Sequence, residues 1–320
     1  MPHVRLALRP LLLAVGLVAA SSGCGSAPVD MTYADSARQA YDEAMEYFED
    51  EDYLEAVKRL TTVKNKYAYS KYAALAEIRV ADAYYEQEKW AEAIDAYRTF
   101  AQSRPNHPDV PYALWRVGSS YFEQIPSDFF ILPPVHERDP AATKDALRAL
   151  ETFAERYPAH ERAGDARDRI LACRRLLADQ ELYVARFYVR ADRPVSARGR
   201  LEGVVAQYTD LPDRWAEAAL LLARVYAALS RSIADQAAEF NGKARQTAER
   251  LIRDLPAAPE SERARDLLAE LPAPPPAPPP PPPDPVVPAV VPEPPTAPES
   301  ASPDAAGPPS AAPPAPAAGG

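Results

Sequence analysis

Two thiols and four imidazoles are the first places to look for chemistry in this 320-residue chain. Cys24 closes the apolar stretch "LAVGLVAASSG" and is followed by Gly25. Cys173 lies in "RILACRRLLADQ". A thiolate can be a nucleophile or a metal ligand, but neither cysteine has another Cys or a His at ligand spacing. Different surroundings also argue against a disulfide between them. His3, His107, His136 and His160 are similarly scattered. No HExxH, CxxC or GxSxG pattern occurs, and no phosphate- or dinucleotide-binding glycine loop. The run Glu49-Asp50-Glu51-Asp52 falls in an expected turn, where solvated carboxylates are the simpler reading than a metal site. The sequence therefore predicts a protein that is not an enzyme, with no metal and no cofactor. A net charge of -10 argues against a nucleic-acid partner, which needs a basic face.

Cys24 is placed by the segment before it. Arg5 and Arg9 give a positive start, and an apolar run from Leu11 to Ala20 follows, too short to cross a bilayer. Small residues Ala19 to Gly23 lead to the cysteine. This resembles the lipobox of bacterial lipoproteins, although Ser21 stands where Leu is usual. The resemblance implies cleavage before Cys24 and a covalent lipid on it. Ordinary cleavage after Ala20 or Ser22, leaving a free thiol, is the alternative. Gly25 is not the Asp that retains such lipoproteins in the inner membrane, so the implied address is the outer membrane, periplasmic face. Several acyl chains on one residue anchor far better than one.

From Ser36 to Leu271 apolar residues recur at three- and four-residue spacing, which predicts helices throughout. A period appears in "AMEYFEDEDYLEAVKRLTTV", "ADAYYEQEKWAEAIDAYRTF" and "ARFYVRADRPVSARGRLEGV". Each has a small residue with an aromatic three positions on, as in Ala44/Tyr47, Ala81/Tyr84 and Ala185/Tyr188. A break, an alanine and two large residues follow. Further units start at Gly118/Tyr121 and Ala223/Tyr226, both with enlarged turns. This resembles the tetratricopeptide repeat of two helices per unit. The expected fold is all-α: a tetratricopeptide superhelix of about five helix pairs with a disordered Pro/Ala-rich tail. The expected division is a signal peptide at 1–23, a tether at 24–35, repeats at 36–271 and the tail at 272–320. More than half of the 37 prolines lie in that tail. Proline there favours extended polyproline II over packing, so the tail is a spacer or a tether for a partner. Cys173 is expected as a small core residue.

In tetratricopeptide arrays the first helix of each pair lines the concave face. That register assigns Tyr41, Met45, Phe48, Ile78, Asp82, Tyr85, Tyr112, Trp115 and Phe122 to a groove over the first three pairs. So aromatic a face suits an extended peptide, although packing between repeats could claim part of it. The last two pairs give Leu182, Arg186, Arg190, Leu220 and Arg224, a more basic face.

From Cys24 to about Leu255 the order of features is similar to the BamD family, the outer-membrane lipoproteins of the β-barrel assembly machinery. The resemblance rests on "RPNHPDVPYALWRVGSSYF", on "RDP" at Arg138-Asp139-Pro140 within an insertion, on the stretch from "FAERYPAHERAGDARDRIL" to "YVARFYV", where the family has a long helix leading into the fourth repeat, and on "RLEGVVAQY". It implies a scaffold. C-terminal repeats would bind the POTRA region of BamA, with Arg138 and Asp139 assigned to that contact and Arg200 matching a basic position that faces an acid on BamA. An unpaired surface arginine is the other reading of Arg200. N-terminal repeats would receive the aromatic-ending C-terminal signal of unfolded outer-membrane proteins, with Tyr41, Phe48, Tyr85, Tyr112, Trp115 and Phe122 as the groove. Other Bam lipoproteins would be further partners. The long tail departs from familiar members. The alternative is another periplasmic repeat lipoprotein, a secretin pilotin or a Tol-associated protein.

Overall fold

The computed structural model describes residues 32–126 and 134–273. The expected signal segment, Cys24 and most of the Pro/Ala-rich tail lie outside the described residues. So does part of the third-repeat insertion.

Capping chemistry sets the first helices. Thr32 accepts a hydrogen bond from the Asp35 backbone N–H (3.2 Å) and opens α1 (Tyr33–Glu49). Asp52 does the same for Glu55 at the start of α2 (Tyr53–Lys66), whose last turn carries Lys64 and Lys66 against the negative helix end. Four more pairs follow: α3 (Lys71–Glu86) with α4 (Trp90–Ser103), α5 (Val110–Glu123) with α6 (Ala141–Arg156), α7 (Ala163–Arg190) with α8 (Pro194–Gln207), and α9 (Pro212–Ser232) with α10 (Ala237–Asp254). The last helix of the described residues, α11 (Pro259–Glu270), stands outside these five pairs. Each helix packs on the next, and first helices touch across pairs, α1 on α3, α5 on α7 and α7 on α9. No strand occurs among the described residues.

The small anchors are where the helices come closest. Ala44, Ala81, Ala185 and Ala223 are fully buried. At Gly118 an added Cβ would lie 2.7 Å from Leu150 Cδ2 and 3.2 Å from its backbone nitrogen. A side chain there would force α5 away from α6. The large residues of the second helices fill the space thus defined, with Leu60, Tyr97, Phe100, Leu150, Phe153, Leu201 and Leu251 fully enclosed.

Pairs one, two and four share one turn. Glu51, Glu88 and Asp192 occupy it with φ of 61°, 58° and 51°. In the last two turns the next N–H reaches back to close the first helix, Lys89 to the Tyr84 carbonyl (3.0 Å) and Arg193 to that of Tyr188 (2.9 Å). Pairs three and five have longer connections, each with a short 3-10 turn, Val135–Glu137 and Ala234–Gln236. Two features have no counterpart in the repeat pattern. α7 runs 28 residues, and α11 covers the apolar side of the fifth pair around Trp215, Ala219 and Leu251.

Candidate functional site

The centre of the N-terminal half is a carboxylate. Asp82 on α3 is 2% exposed. Its Oδ1 accepts from the Tyr97 hydroxyl on α4 (2.5 Å) and the Tyr112 hydroxyl on α5 (2.8 Å). Its Oδ2 accepts from Arg79 Nη1 (2.7 Å). Tyr112 in turn accepts from Arg116 Nε (2.7 Å). Burial together with the neighbouring Asp82 charge pushes the Tyr112 hydroxyl up to about 12 and moves that of Tyr97 upward as well. Both rings therefore remain neutral donors, and the Arg116 guanidinium is held more firmly protonated by its tyrosine and aspartate neighbours in spite of burial.

Arginines stack on the aromatics around this centre. Arg116 lies 4.2 Å from the Tyr85 ring centroid and 5.2 Å from that of Trp115. Arg162 covers Trp115 (4.8 Å) and Arg169 covers Phe122 (4.9 Å). Arg169 is itself tied to Glu123 (2.9 Å) and Asp165 (3.2 Å). Guanidinium faces on half-buried rings are favourable contacts. The surface is thus a mixed cation–aromatic one rather than a plain apolar groove.

This corrects part of the expected register. Ile78, Asp82 and Trp115 are buried, with Trp115 only 6% exposed and its indole N–H donating to Asp165 (2.7 Å). They organise the face from beneath. Tyr85 and Tyr112 are half-buried and share Arg116, while Phe122, also half-buried, lies under Arg169. Tyr41, Met45 and Phe48 pack half-buried on the core of the first pair, with Tyr41 against Tyr72 (5.6 Å) and Phe48 against Tyr53 (5.4 Å). In the C-terminal half Leu182 and Leu220 are core residues, not face residues. Arg186 forms a two-pronged pair with Glu217 (2.7 and 2.6 Å), while Arg190 and Arg224 are exposed.

A second surface gathers residues far apart in the chain. Arg200 Nη1 on α8 donates to Glu181 on α7 (3.0 and 3.2 Å), so it is a paired residue. Both line a cleft of roughly 520 Å³ with Lys144, Gln180, Ser196 and Gly199. Gln180 donates to the Arg138 carbonyl (3.2 Å), which brings the insertion beside the cleft. His136 packs at a tilt against Tyr183 (5.3 Å) and holds the same segment to α7. Asp139 has a local task, accepting from the Ala141 N–H (3.0 Å) at the start of α6. The sequence signalled neither the Gln180 bridge nor Lys144. Arg116, four residues after Tyr112 on one helix face, was findable by spacing alone.

The remaining candidates are structural. Cys173 is fully buried, and burial pushes its thiol up to about 12, far from a reactive thiolate. His107 and His160 repeat one another, each ring edge-on to a core phenylalanine (5.2 Å to Phe100, 5.5 Å to Phe153) and each Nδ1 accepting a backbone N–H two residues on. Among the described residues no group of His, Cys, Asp or Glu is placed to hold a metal ion, and no helix is long and apolar enough to cross a membrane.

Stacked antiparallel helix pairs with small residues at their crossings, presenting polar–aromatic faces, define a non-enzymatic scaffold of the tetratricopeptide type. The sequence profile of the outer membrane lipoprotein family YfiO matches residues 33–241, and the chain belongs to that family. Similar proteins include outer membrane protein assembly factor BamD of Neisseria gonorrhoeae, 28% identical over 222 residues that cover 67% of this chain and 82% of that one. BamD of Caulobacter vibrioides is 30% identical over 185 residues, 57% of this chain and 54% of that one. BamD of Vibrio cholerae is 27% identical over 200 residues, 61% and 82%. Solved structures overlay loosely. A tetratricopeptide repeat protein from Parabacteroides merdae, 12% identical, covers 73% of this chain and 74% of its own with a TM-score of 0.30. The fold rests on the helix pairs themselves.

Proposed function

We propose that this protein is an outer-membrane protein assembly factor held at the periplasmic face of the outer membrane by a lipid on Cys24. It acts as a scaffold between two partners. The cation–aromatic face of the first three pairs, with Tyr85, Tyr112, Phe122 and Arg116 at its centre, receives the C-terminal segment of unfolded outer-membrane proteins. The cleft around Arg200, Lys144 and Gln180 receives the POTRA region of BamA. The observation that carries the reading is the family match over residues 33–241, which spans both surfaces. Geometry supports the division: half-buried rings suit apolar side chains, and cations at the rim of a polar cleft suit an acidic partner.

The Glu181 partner matters for Arg200. An arginine already paired and 49% exposed on its side chain exchanges one carboxylate for another at little net gain. Its contribution is then orientation and discrimination rather than bulk affinity. The test is retention of partners after mild-detergent solubilisation. Wild type should bring down a POTRA-containing barrel protein. Arg200→Glu should weaken that retention several-fold, and Cys24→Ala should lower the membrane-bound fraction. Recovery of a secretin or a Tol component in place of the barrel protein would establish the alternative envelope role.

A further inference from the structure

Among the described residues several half-buried arginines, Arg169, Arg174, Arg186 and Arg214, commit a terminal nitrogen to a carboxylate or a carbonyl. Arg169 and Arg174, each with a side chain 22% exposed, donate to carboxylates from both ends of the guanidinium or to a carboxylate and a backbone carbonyl. Arg186 grips Glu217 and Arg214 grips Asp179 in the same manner. Arg116 differs. Its side chain is only 17% exposed, yet its single hydrogen bond among the described residues runs from Nε to the Tyr112 hydroxyl. The Nη2 group approaches Glu86 no closer than 3.8 Å, and Asp82 is 4.0 Å from Nε. Neither terminal nitrogen is an enclosed, unsatisfied atom, so neither is sealed from solvent.

The surroundings fix this open fork. The guanidinium sits over the Tyr85 ring, and Tyr112 holds its Nε edge. Tyr112 is itself locked by Asp82, whose charge is already met by Arg79 and the Tyr97 hydroxyl. The Asp82 carboxylate thereby positions Arg116 without spending its terminal donors. Beside it, Tyr85 stands edge-to-face with Trp90 (4.9 Å), an aromatic wall next to the cation. A planar fork with two parallel N–H donors is the geometry that grips a carboxylate.

We infer that Arg116 is the receptor for the free α-carboxylate of a bound peptide, with Asp82 and Tyr112 as its positioning residues and the Tyr85–Trp90 wall taking the terminal aromatic side chain. This rests on the reading of the N-terminal face as a peptide site. It adds that the site recognises a chain end, not merely an apolar segment. The exposed Glu86 is the internal competitor for the same donors.

The test compares two synthetic peptides of one sequence ending in phenylalanine, one with a free carboxylate and one carboxamidated. Binding to the full chain in detergent is followed by fluorescence anisotropy. Wild type should bind the free acid about tenfold more tightly than the amide, the effect of one charge-assisted pair. Arg116→Gln should abolish that ratio and Arg116→Lys should keep part of it. Glu86→Gln should raise affinity for the acid and leave the amide unchanged. A general loosening of the fold would weaken both peptides alike, so the ratio isolates recognition of the chain end. Equal binding of acid and amide to wild type, with both weakened by Tyr85→Ala, would overturn the carboxylate assignment and leave the peptide site standing. No measurable binding of either peptide to wild type overturns both.

Discussion

Tyr112 shows how one side chain ties the fold to the candidate site. Its hydroxyl donates to Asp82 and accepts from Arg116, so Tyr112→Phe removes two polar contacts from one buried network. Stability at neutral pH should fall by about 1–3 kcal/mol in urea unfolding, since the partners left behind lose a satisfied hydrogen bond. The deficit should also depend on pH. In the unfolded chain the hydroxyl ionises near 10.0, and in the folded protein near 12. A raised folded value means that the folded state keeps a proton the unfolded state gives up. The stability gained is full below pH 10 and drains away as pH rises toward 12. The gap between wild type and Tyr112→Phe should therefore narrow across that window, and a gap that widens with pH would mean that the hydroxyl is not the neutral donor described. Helical register located Tyr112 on the right face of its helix, but the same register put Asp82 there too. What it could not show is that Tyr97, from the second helix of the pair, turns its hydroxyl onto that carboxylate and closes it off from solvent. Contacts between elements decide burial, and a period within one element does not contain them.

At the scale of the helix pair, two backbone positions carry opposite predictions. Glu88 has φ of 58°, a left-handed conformation that strains any residue with a Cβ by about 1–2 kcal/mol. Glu88→Gly should raise stability by about 1 kcal/mol, visible as a higher Tm, because glycine adopts this turn freely even after its greater unfolded-state entropy is counted. Gly118 is the reverse case. It lies inside α5 with an ordinary helical backbone, where alanine is intrinsically favoured. The Leu150 side chain and backbone, however, occupy the space its Cβ would need. Gly118→Ala should lose about 1–3 kcal/mol through overpacking, and an unchanged Tm would show that α5 and α6 can separate without penalty. The pairing itself was plain in the sequence, because the alanine and aromatic spacings that generate it are local. The left-handed turns were not, since glutamate and aspartate stand where glycine would have announced them. The length of α7 was signalled only by the family resemblance of its stretch, because a repeat of two similar helices does not contain it.

For the whole stack, the decisive question is how the last pair is closed. In a solenoid each pair stabilises its neighbours, so an open end exposes the apolar side that the next pair would cover. Here α11 provides the cover. Ala264 is fully buried against the fifth pair, and Leu267 and Leu268 pack on the cluster that contains Trp215, Ala219 and Leu251. The Ser261 hydroxyl donates to the Leu255 carbonyl (2.7 Å), and Arg245 reaches the Pro272 carbonyl (2.9 Å), pinning both ends of the helix. Ending the chain after Ala258 should uncover this side. Hydrogen exchange should then quicken across α9 and α10, fall off through α7 and α8, and leave α1 to α4 unaffected. Ending it after Ala273 keeps α11 and serves as the comparison, with slow exchange retained in α9 and α10. The Arg200 cleft lies on α7 and α8, between the loosened and the unaffected regions. Retention of a partner at that cleft should therefore drop in the shorter chain, while peptide binding at Arg116 persists. Uniform loss of protection from α1 to α10 would instead show that the stack unfolds as one unit, and that the two surfaces are not energetically separable.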